Sequence, residues 1–321
     1  MQGADDLLAA QFAYTAAVAG GAEAEEGQDA VTLWAVSDLH VGARGNRDLV
    51  VDLVRPRNPE DWLIVAGDVA EDLDVVVDVL GELRQRFAKV IYAPGNHELY
   101  AGAGHGPVGK ARYEELIRRC RRIGIYTPED PYQQFAGHTI VPLFTLYDHS
   151  WRDLTATPEE AIDEAKAQGL VFSDYYMIRP FVDIPQWCRE RLAYSVRRLG
   201  QVTGPTVLVN HWPLAQESLR RVRYPEIGLF SGTRHTQQWA KRYRAATVIH
   251  GHLHIPLGIE VDGVPHVEVS LGYPRERKRS LPPRQKMSLW PYPVMSTPRT
   301  SDPKLRTRKD EEGSRQCGTT F

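Results

Sequence analysis

Residues 61–71 read DWLIVAGDVAE, an uninterrupted apolar run that ends in Gly67 and Asp68. Residues 31–40 read VTLWAVSDLH and have the same form, because an apolar run leads into Asp38 and His40. Runs of this length without polar alternation predict strands that are buried on both faces. In α/β proteins, polar residues at the ends of such strands lie at the edge of the sheet where ligands bind.

Seven apolar runs of this kind predict seven strands, at residues 31–37, 62–66, 89–93, 139–146, 206–209, 246–249 and 266–271. Between them, apolar residues at three- and four-residue spacing predict helices at 73–87, 110–123 and 185–199. Strands that alternate with helices predict an α/β fold with helices on both faces of the sheet.

Five of the predicted strands end in polar clusters. In chain order, the clusters are Asp38-Leu39-His40, Gly67-Asp68, Gly95-Asn96-His97-Glu98, Asn210-His211 and Gly251-His252-Leu253-His254. Residues two apart at a strand end point to the same side, so each D-x-H or H-x-H pair offers two donors together. Oxygen and nitrogen donors without thiolates suit Mn, Fe or Zn. A single D-x-H triplet is a weak signal, but five clusters in this order, each after a strand, are a specific one.

In order and spacing, these clusters resemble the calcineurin-like metallophosphoesterases, over roughly residues 31–272. The resemblance implies a four-layer α/β/β/α sandwich with two central sheets. It also implies two divalent or trivalent metal ions, Mn or Fe, with Zn as an alternative. The implied ligands are Asp38, His40 and His254 for the first metal, Asn96, His211 and His252 for the second, and Asp68 as a bridge between both.

The same resemblance implies that His97 is a catalytic residue that binds no metal and that Glu98 orients it. Two cations about 3.5–4 Å apart lower the pKa of a bridging water, and the resulting hydroxide attacks phosphorus in line. His97 either offsets charge on the phosphoryl oxygens or delivers a proton to the leaving oxygen. The sequence leaves both roles open.

Longer runs outside the metal motifs, such as residues 87–100, 205–214 and 262–276, resemble the branch of the family that removes phosphopantetheine from carrier proteins. That resemblance implies a phosphodiesterase with holo-acyl carrier protein as its substrate and partner. Two alternatives stay open: a phosphomonoesterase that acts on phosphoproteins or small metabolites, and a scaffold that keeps the fold without the chemistry. The presence of every implied metal ligand disfavours the scaffold.

Four residues outside the clusters are candidates for substrate binding. Arg44 and Arg234 lie on loops and offer bidentate donors to a phosphate, although a solvated loop arginine is the commoner reading. Tyr147 and Asp148 follow a predicted strand and are expected to line the pocket. Of the other histidines, His250 is interpreted as a strand residue, and His105, His138, His149, His235 and His266 as surface or loop residues.

The predicted catalytic domain spans residues 31–274, with an acidic, aromatic insertion at 147–184 that is expected to cap the site. Residues 1–30 form a flexible or short helical leader in this interpretation. Residues 275–321 contain 12 Lys or Arg against 5 Asp or Glu, with repeated prolines. This composition predicts a basic, Pro-rich tail that is disordered and has no core of its own.

The overall composition excludes some function classes. A net charge of −2 disfavours a general nucleic-acid or membrane-surface binder. No apolar run approaches the roughly 20 residues that span a bilayer. Three widely spaced cysteines predict no disulfide framework, which favours a reducing cytoplasm. The oligomeric state is not indicated.

Overall fold

The structure, a computed structural model, describes residues 30–101, 106–280 and 290–298. Its strands are β1 (Ala30–Val36), β2 (Trp62–Val65), β3 (Lys89–Tyr92), β4 (Gln133–Phe135), β5 (His138–Pro142), β6 (Thr206–Val209), β7 (Ala245–His250), β8 (Gly258–Val261), β9 (Val264–Glu268) and β10 (Tyr292–Pro298). Its helices are α1 (Asn46–Leu53), α2 (Leu73–Arg86), α3 (Gly109–Arg122), α4 (Pro158–Ala167), α5 (Ser173–Met177), α6 (Ile184–Leu199), α7 (Trp239–Arg242) and α8 (Pro274–Ser280).

The strands form two sheets, with the orders β10-β1-β2-β3 and β4-β5-β6-β7-β9-β8. β1, β2 and β3 are parallel, and β5, β6, β7 and β9 are parallel in the second sheet. The edge strands β10, β4 and β8 run antiparallel to their neighbours. The carboxyl ends of the parallel strands therefore meet along one edge of each sheet.

Alternation along each strand explains the four layers. Ala35, Ile64 and Ile91 are register partners across β1, β2 and β3, and they pack against the inner face of the second sheet. Trp34 and Leu63, one residue away, pack outward against the helices of the first half. Both faces of the strands are buried, as the apolar runs predict. The α/β/β/α sandwich that the family resemblance implies is confirmed. The prediction of helices on both faces of the sheet is wrong, because the inner face of each sheet packs against the other sheet.

Local sequence signals account for the helix boundaries. α2 begins after Asp72, whose carboxylate accepts hydrogen bonds from two backbone amides of the first turn. α4 begins with a capping box between Thr157 and Glu160, and α6 begins after Asp183, which accepts from the amide of Gln186. Side-chain oxygens at these positions satisfy amides that have no partner within the helix.

The prediction that residues 275–321 form a disordered tail is wrong for two segments. α8 packs its first residues beside the polar strand ends, and β10 pairs antiparallel with β1. Trp290 is buried and its indole N–H donates to the carbonyl of Val269 at 3.0 Å. The apolar residues of β10 cover an edge of the first sheet that would otherwise be open. The leader predicted at 1–30, apart from Ala30, and tail residues 281–289 and 299–321 lie outside the described residues.

Two histidines differ from their predicted surface positions. His266 lies in β9 and is almost fully buried, and His149 is buried with Nδ1 2.7 Å from the carbonyl of Leu229. His250 is a buried strand residue, as predicted. Among the residues described, no helix combines the length and the apolar character needed to cross a membrane.

Candidate metal centre

The five polar clusters meet where the two sheets adjoin. The loop after β1 bonds to the loop after β2, because the amide of Asp38 donates to the carbonyl of Gly67 at 2.9 Å and that of His40 to Asp68 at 3.0 Å. The amide of Gly251 donates to the carbonyl of His211 at 3.0 Å. The structure thereby brings together the seven donors that the sequence singles out: Asp38, His40, Asp68, Asn96, His211, His252 and His254.

The first donor group comprises Asp38, His40 and His254. Nε2 of His254 lies 3.1 Å from Oδ1 of Asp38 and 3.0 Å from Nε2 of His40. Oδ2 of Asp68, on the loop after the neighbouring strand β2, lies 3.9 Å from Nε2 of His40 and completes the group. Two carboxylate oxygens and two imidazole nitrogens therefore face a common point.

The second donor group comprises Asn96, His211 and His252. Oδ1 of Asn96 lies 2.9 Å from Nε2 of His211 and 3.2 Å from Nδ1 of His252. The two imidazole nitrogens are 3.2 Å apart. Oδ2 of Asp68 is 3.4 Å from Nε2 of His211, so the same carboxylate oxygen faces both groups.

The orientation of the donors fits metal ions. The amide nitrogen of Asn96 donates to Asp174 at 2.8 Å and to Tyr100 at 3.1 Å, so its oxygen must point at the histidines. Nδ1 of His211 faces the carbonyl of Ala66 at 2.9 Å, which places its hydrogen there and leaves a lone pair on Nε2. Lone pairs that face one another about 3 Å apart repel, and a cation bonded to both at about 2.0–2.2 Å removes the repulsion.

The electrostatics of the site agree with that fit. Burial lowers the pKa of His40 to about 4 and that of His252 to about 3, so both imidazoles are neutral at neutral pH. Burial opposes ionisation of Asp38, but His254 and its neighbours hold the pKa of that carboxyl well below its usual range. Neutral imidazoles and ionised carboxylates are the forms that bind metals.

His211 behaves differently in the protein without cations. Burial acts to lower its pKa, but the carboxylate of Asp68 outweighs burial and raises the pKa to about 9. The pKa of His254 is likewise raised by Asp38 against the effect of burial. The two buried carboxylates therefore attract positive charge at each of the two donor groups, and protons supply it where cations do not.

Residues outside the two groups fix the orientation of the first. Oε2 of Glu276, in α8, lies 2.8 Å from Nδ1 of His254. This contact places the hydrogen of His254 on Nδ1 and frees Nε2 for a metal. The ring of Tyr273 stacks on His40 with centroids 4.3 Å apart. Glu276, in the segment predicted as a tail, therefore orients one of the candidate metal ligands.

The carboxylate of Asp38 is oriented from the side away from the donor group. Its Oδ2 accepts hydrogen bonds from Ser37 and, at 2.8 Å, from Ser270. Ser270 Oγ is also 2.7 Å from the buried Glu268, whose pKa burial and Asp38 raise to about 8. Oδ1 of Asp38 is left to face His254.

The carboxylate of Glu98 is directed at backbone amides. It accepts hydrogen bonds from the amides of Asp68 at 3.1 Å, Val69 at 2.6 Å and Gly95 at 2.7 Å. Glu98 therefore ties the loop after β2 to the loop after β3. The prediction that Glu98 orients the ring of His97 is corrected, because its oxygens are used by these amides.

The ring of His97 is held by a different carboxylate. Its Nδ1 lies 3.2 Å from Oε1 of Glu71, and its Nε2 lies 3.8 Å from Oδ2 of Asp68. Burial lowers the pKa of His97, but Asp68 and the hydrogen bond with Glu71 outweigh burial and raise it above the usual value. His97 can therefore hold a proton at Nε2 while facing the donor groups.

The backbone at the site is strained. Asp38, His40, Asp68, His252 and His254 all have positive φ, between 39° and 77°. This left-handed region is uncommon for residues other than glycine and costs on the order of 1–3 kcal/mol each where surrounding contacts enforce it. Such strain is typical of functional sites, and it aims both residues of each D-x-H or H-x-H pair into the centre.

The two predicted substrate arginines are both exposed. Arg44 is exposed on the loop after β1. The guanidinium of Arg234 donates to the carbonyls of Ser150 at 2.6 Å and Arg152 at 2.9 Å. These bonds hold two loops together and occupy donors that the prediction assigned to a phosphate.

The remaining two predicted residues have structural partners. Tyr147 is fully buried in the core of the second half, and its hydroxyl interacts with Asp174. Asp148 accepts a hydrogen bond from Thr233 at 2.8 Å and from the amide of Ser150 at 3.0 Å. Tyr147 therefore lies behind Asn96 rather than in an open pocket, and Asp148 organises the loop that follows β5.

Three residues at the site escaped sequence reasoning. Glu71 lies three residues after Asp68, a spacing that could have drawn attention to it. Glu276 is the last residue of the run 262–276, but it also falls in the segment predicted as a tail. Asp174 comes from the insertion at 147–184 and binds Asn96, from which it is 78 positions away in the sequence. No local pattern marks Asp174.

Comparison with known proteins agrees with the fold and the donor groups. The sequence pattern described as calcineurin-like phosphoesterase matches residues 31–256. The acyl-carrier-protein phosphodiesterase PptH of Mycobacterium tuberculosis is 44% identical over 263 residues, which cover 78% of this chain and 81% of that protein. The crystal structure of phosphopantetheinyl hydrolase (PptH) from Mycobacterium tuberculosis aligns with a TM-score of 0.76 and 40% identity, covering 87% of this chain and 99% of that one.

These matches span the strands that carry the polar clusters, and a two-metal site is a property of the matched family. The protein is accordingly a hydrolase that acts on ester bonds. This chain belongs to the calcineurin-like phosphoesterase family.

Proposed function

We propose that this protein is a metal-dependent phosphodiesterase that releases 4′-phosphopantetheine from holo-acyl carrier protein. The observation that carries the proposal is the 44% identity, over 78% of the chain, to a relative named as an acyl-carrier-protein phosphodiesterase. Identity at this level extends beyond the five polar clusters, so it reflects more than the shared metal chemistry. The aligned relative of known structure bears a name of the same kind.

The reaction consumes one water. Its oxygen bonds to phosphorus, the bond between phosphorus and the carrier-protein oxygen breaks, and that oxygen receives a proton. When bound, two cations supply Lewis-acid catalysis, which activates the water and offsets charge on the phosphoryl oxygens. The proposed ligands are Asp38, His40 and His254 for one ion, Asn96, His211 and His252 for the other, and Asp68 for both. We propose Mn or Fe, with Zn as the alternative, because the donors are nitrogen and oxygen.

His97 is the proposed general acid. Its Nε2 faces Asp68 and the donor groups, while Nδ1 is held by Glu71 at 3.2 Å. The neighbouring carboxylates raise its pKa, so the imidazolium is available to protonate the leaving oxygen. Glu71 acts as a positioning residue that keeps the proton-bearing edge of the ring toward the substrate.

A reducing cytoplasm is the proposed location. Cys120 and Cys188 are buried and free, and they belong to different hydrophobic clusters. Cys317 lies outside the described residues.

The proposal is tested by the intact mass of holo-acyl carrier protein after incubation with the Mn-loaded enzyme. We expect loss of the phosphopantetheine mass with the wild type and no change with Asp68→Asn, since one carboxylate oxygen faces both donor groups. An unchanged mass, with hydrolysis of an aryl phosphate retained, would reject the carrier-protein substrate and favour a phosphomonoesterase. Full activity of Asp68→Asn with both ions bound would reject the bridging role.

A further inference from the structure

A basic groove lies on the outer surface between α3 and α6, with a volume of about 910 Å³. Aromatic rings form part of its floor, including Tyr113, Trp187 and Tyr194. Three acidic residues line it, against six basic ones: Lys110, Arg118, Arg121, Arg122, Arg191 and Arg197. The groove therefore carries a local charge of +3 on a protein whose net charge is −2.

Only part of this positive charge is paired with acidic side chains in the described structure. Lys110 pairs with Glu190 at 2.5 Å, and Arg191 pairs with Glu129 at 2.6 Å. Arg118 and Arg121 also have acidic partners, Glu115 and Asp130. Among the residues that the structure describes, no acidic partner faces the remaining two arginines of the groove. Those two, Arg122 and Arg197, are exposed and sit at its far end.

The near end of the groove adjoins the loops after β2 and β3, which carry Glu71 and Glu98. Arg112, in the first turn of α3, donates to the carbonyl of Glu98 at 2.7 Å and to the carbonyl of Glu71. Lys110 lies on the same turn. With 14 residues, α3 extends about 21 Å from this point. The groove thus leads from the edge of the metal centre to Arg122.

We propose that this groove docks an acidic surface of the carrier-protein substrate while the phosphodiester lies at the metal centre. The inference rests on the proposed function, which gives the enzyme a substrate whose scissile bond is attached to a folded protein. Unpaired positive charge beside the site steers an acidic partner and lowers KM, with little effect on the chemical step. A small aryl phosphate does not reach the groove and gains nothing from it.

The test is a double charge reversal, Arg122→Glu with Arg197→Glu, at two side chains that lose no acidic partner within the described parts of the chain. The matched control is Arg223→Glu with Lys241→Glu, which changes the net charge equally at exposed positions elsewhere. We expect KM for holo-acyl carrier protein to rise about tenfold with kcat nearly unchanged, since two such contacts are worth roughly 1.4 kcal/mol together. Aryl phosphate hydrolysis and the melting temperature should match the wild type, and the control should leave KM within about twofold.

Salt dependence provides a second readout. KM of the wild type for holo-acyl carrier protein should rise with NaCl, and that of the groove variant should rise less. Equal KM values for wild type and groove variant would overturn the docking surface while leaving the phosphodiesterase intact. A wild type that cleaves aryl phosphate but not holo-acyl carrier protein would overturn the proposed function first, and the groove proposal with it. Loss of single-stranded oligonucleotide binding in the variant, with KM unchanged, would reassign the groove to nucleic acid.

Discussion

Removal of the Glu276 carboxylate should lower the affinity for one of the two metal ions and leave the affinity for the other unchanged. Oε2 of Glu276 lies 2.8 Å from Nδ1 of His254 and also accepts from the amide of Tyr273 at 2.8 Å. A hydrogen bond to a charged group contributes about 1.5–3 kcal/mol. Loss of such a partner from a ligating histidine typically lowers metal affinity by about 10–100-fold.

Two substitutions grade the effect. Glu276→Gln keeps an oxygen that can accept from both donors and removes only the charge, so we expect a loss near tenfold, about 1.4 kcal/mol. Glu276→Ala removes the acceptor and frees the ring of His254 to rotate, so we expect a loss near 100-fold, about 2.7 kcal/mol. Only the ion at Asp38, His40 and His254 should be affected, because Asn96 and the other group do not contact Glu276 in the described structure.

The assay is equilibrium dialysis against Mn²⁺ with metal analysis of the protein, which counts bound ions as a function of free metal. Glu60→Gln, an exposed carboxylate on the loop before β2, serves as the control and should bind both ions normally. Unchanged affinity at both sites in Glu276→Ala, or equal weakening of both, would refute the reasoning that Glu276 acts through the tautomer of His254.

Three further outcomes follow from the structure. Asp174→Ala should lower the affinity for the ion at Asn96, His211 and His252 about tenfold, because Asn96 loses the acceptor that orients its amide. Equilibrium dialysis against Mn²⁺ that shows a lower affinity only at the other site would contradict this. Gly251→Ala should lower the free energy of unfolding by about 1–3 kcal/mol, because the new methyl group overlaps Ser37 and the carboxylate of Asp38. An unchanged melting temperature in thermal unfolding would contradict this expectation. Burial lowers the pKa of His266 to about 3 from 6.5, so the unfolded chain gains a proton below pH 6.5 that the folded chain refuses, and stability falls with acid. Between pH 7 and about pH 5, the free energy of unfolding of the metal-free His266→Leu variant should therefore fall by about 2 kcal/mol less than that of the wild type, as measured by urea unfolding. An equal fall in both proteins would contradict the low pKa of His266.

The strand pattern and the seven donors could be read from the sequence, whereas the four layers came from the family resemblance. Apolar runs such as residues 62–66 require burial on two faces, and that requirement is local to the run. Polar residues directly after such runs must gather at the carboxyl edge of a parallel sheet, whatever the details of packing. Asp38 and His254 follow strands of different sheets and are 216 positions apart, so their pairing came from the family resemblance and not from the edge of one sheet.

Contacts around the donors depended on the tertiary structure. Asp174 reaches Asn96 from the insertion, and Glu276 reaches His254 from a segment whose basic, proline-rich composition predicted a tail. The ring of His97 is held by Glu71, whereas Glu98, the adjacent acid in sequence, is used by backbone amides. Periodicity records which face of an element is buried. It does not record which side chain of a distant segment packs behind a given ligand, because that depends on how separate elements meet in three dimensions.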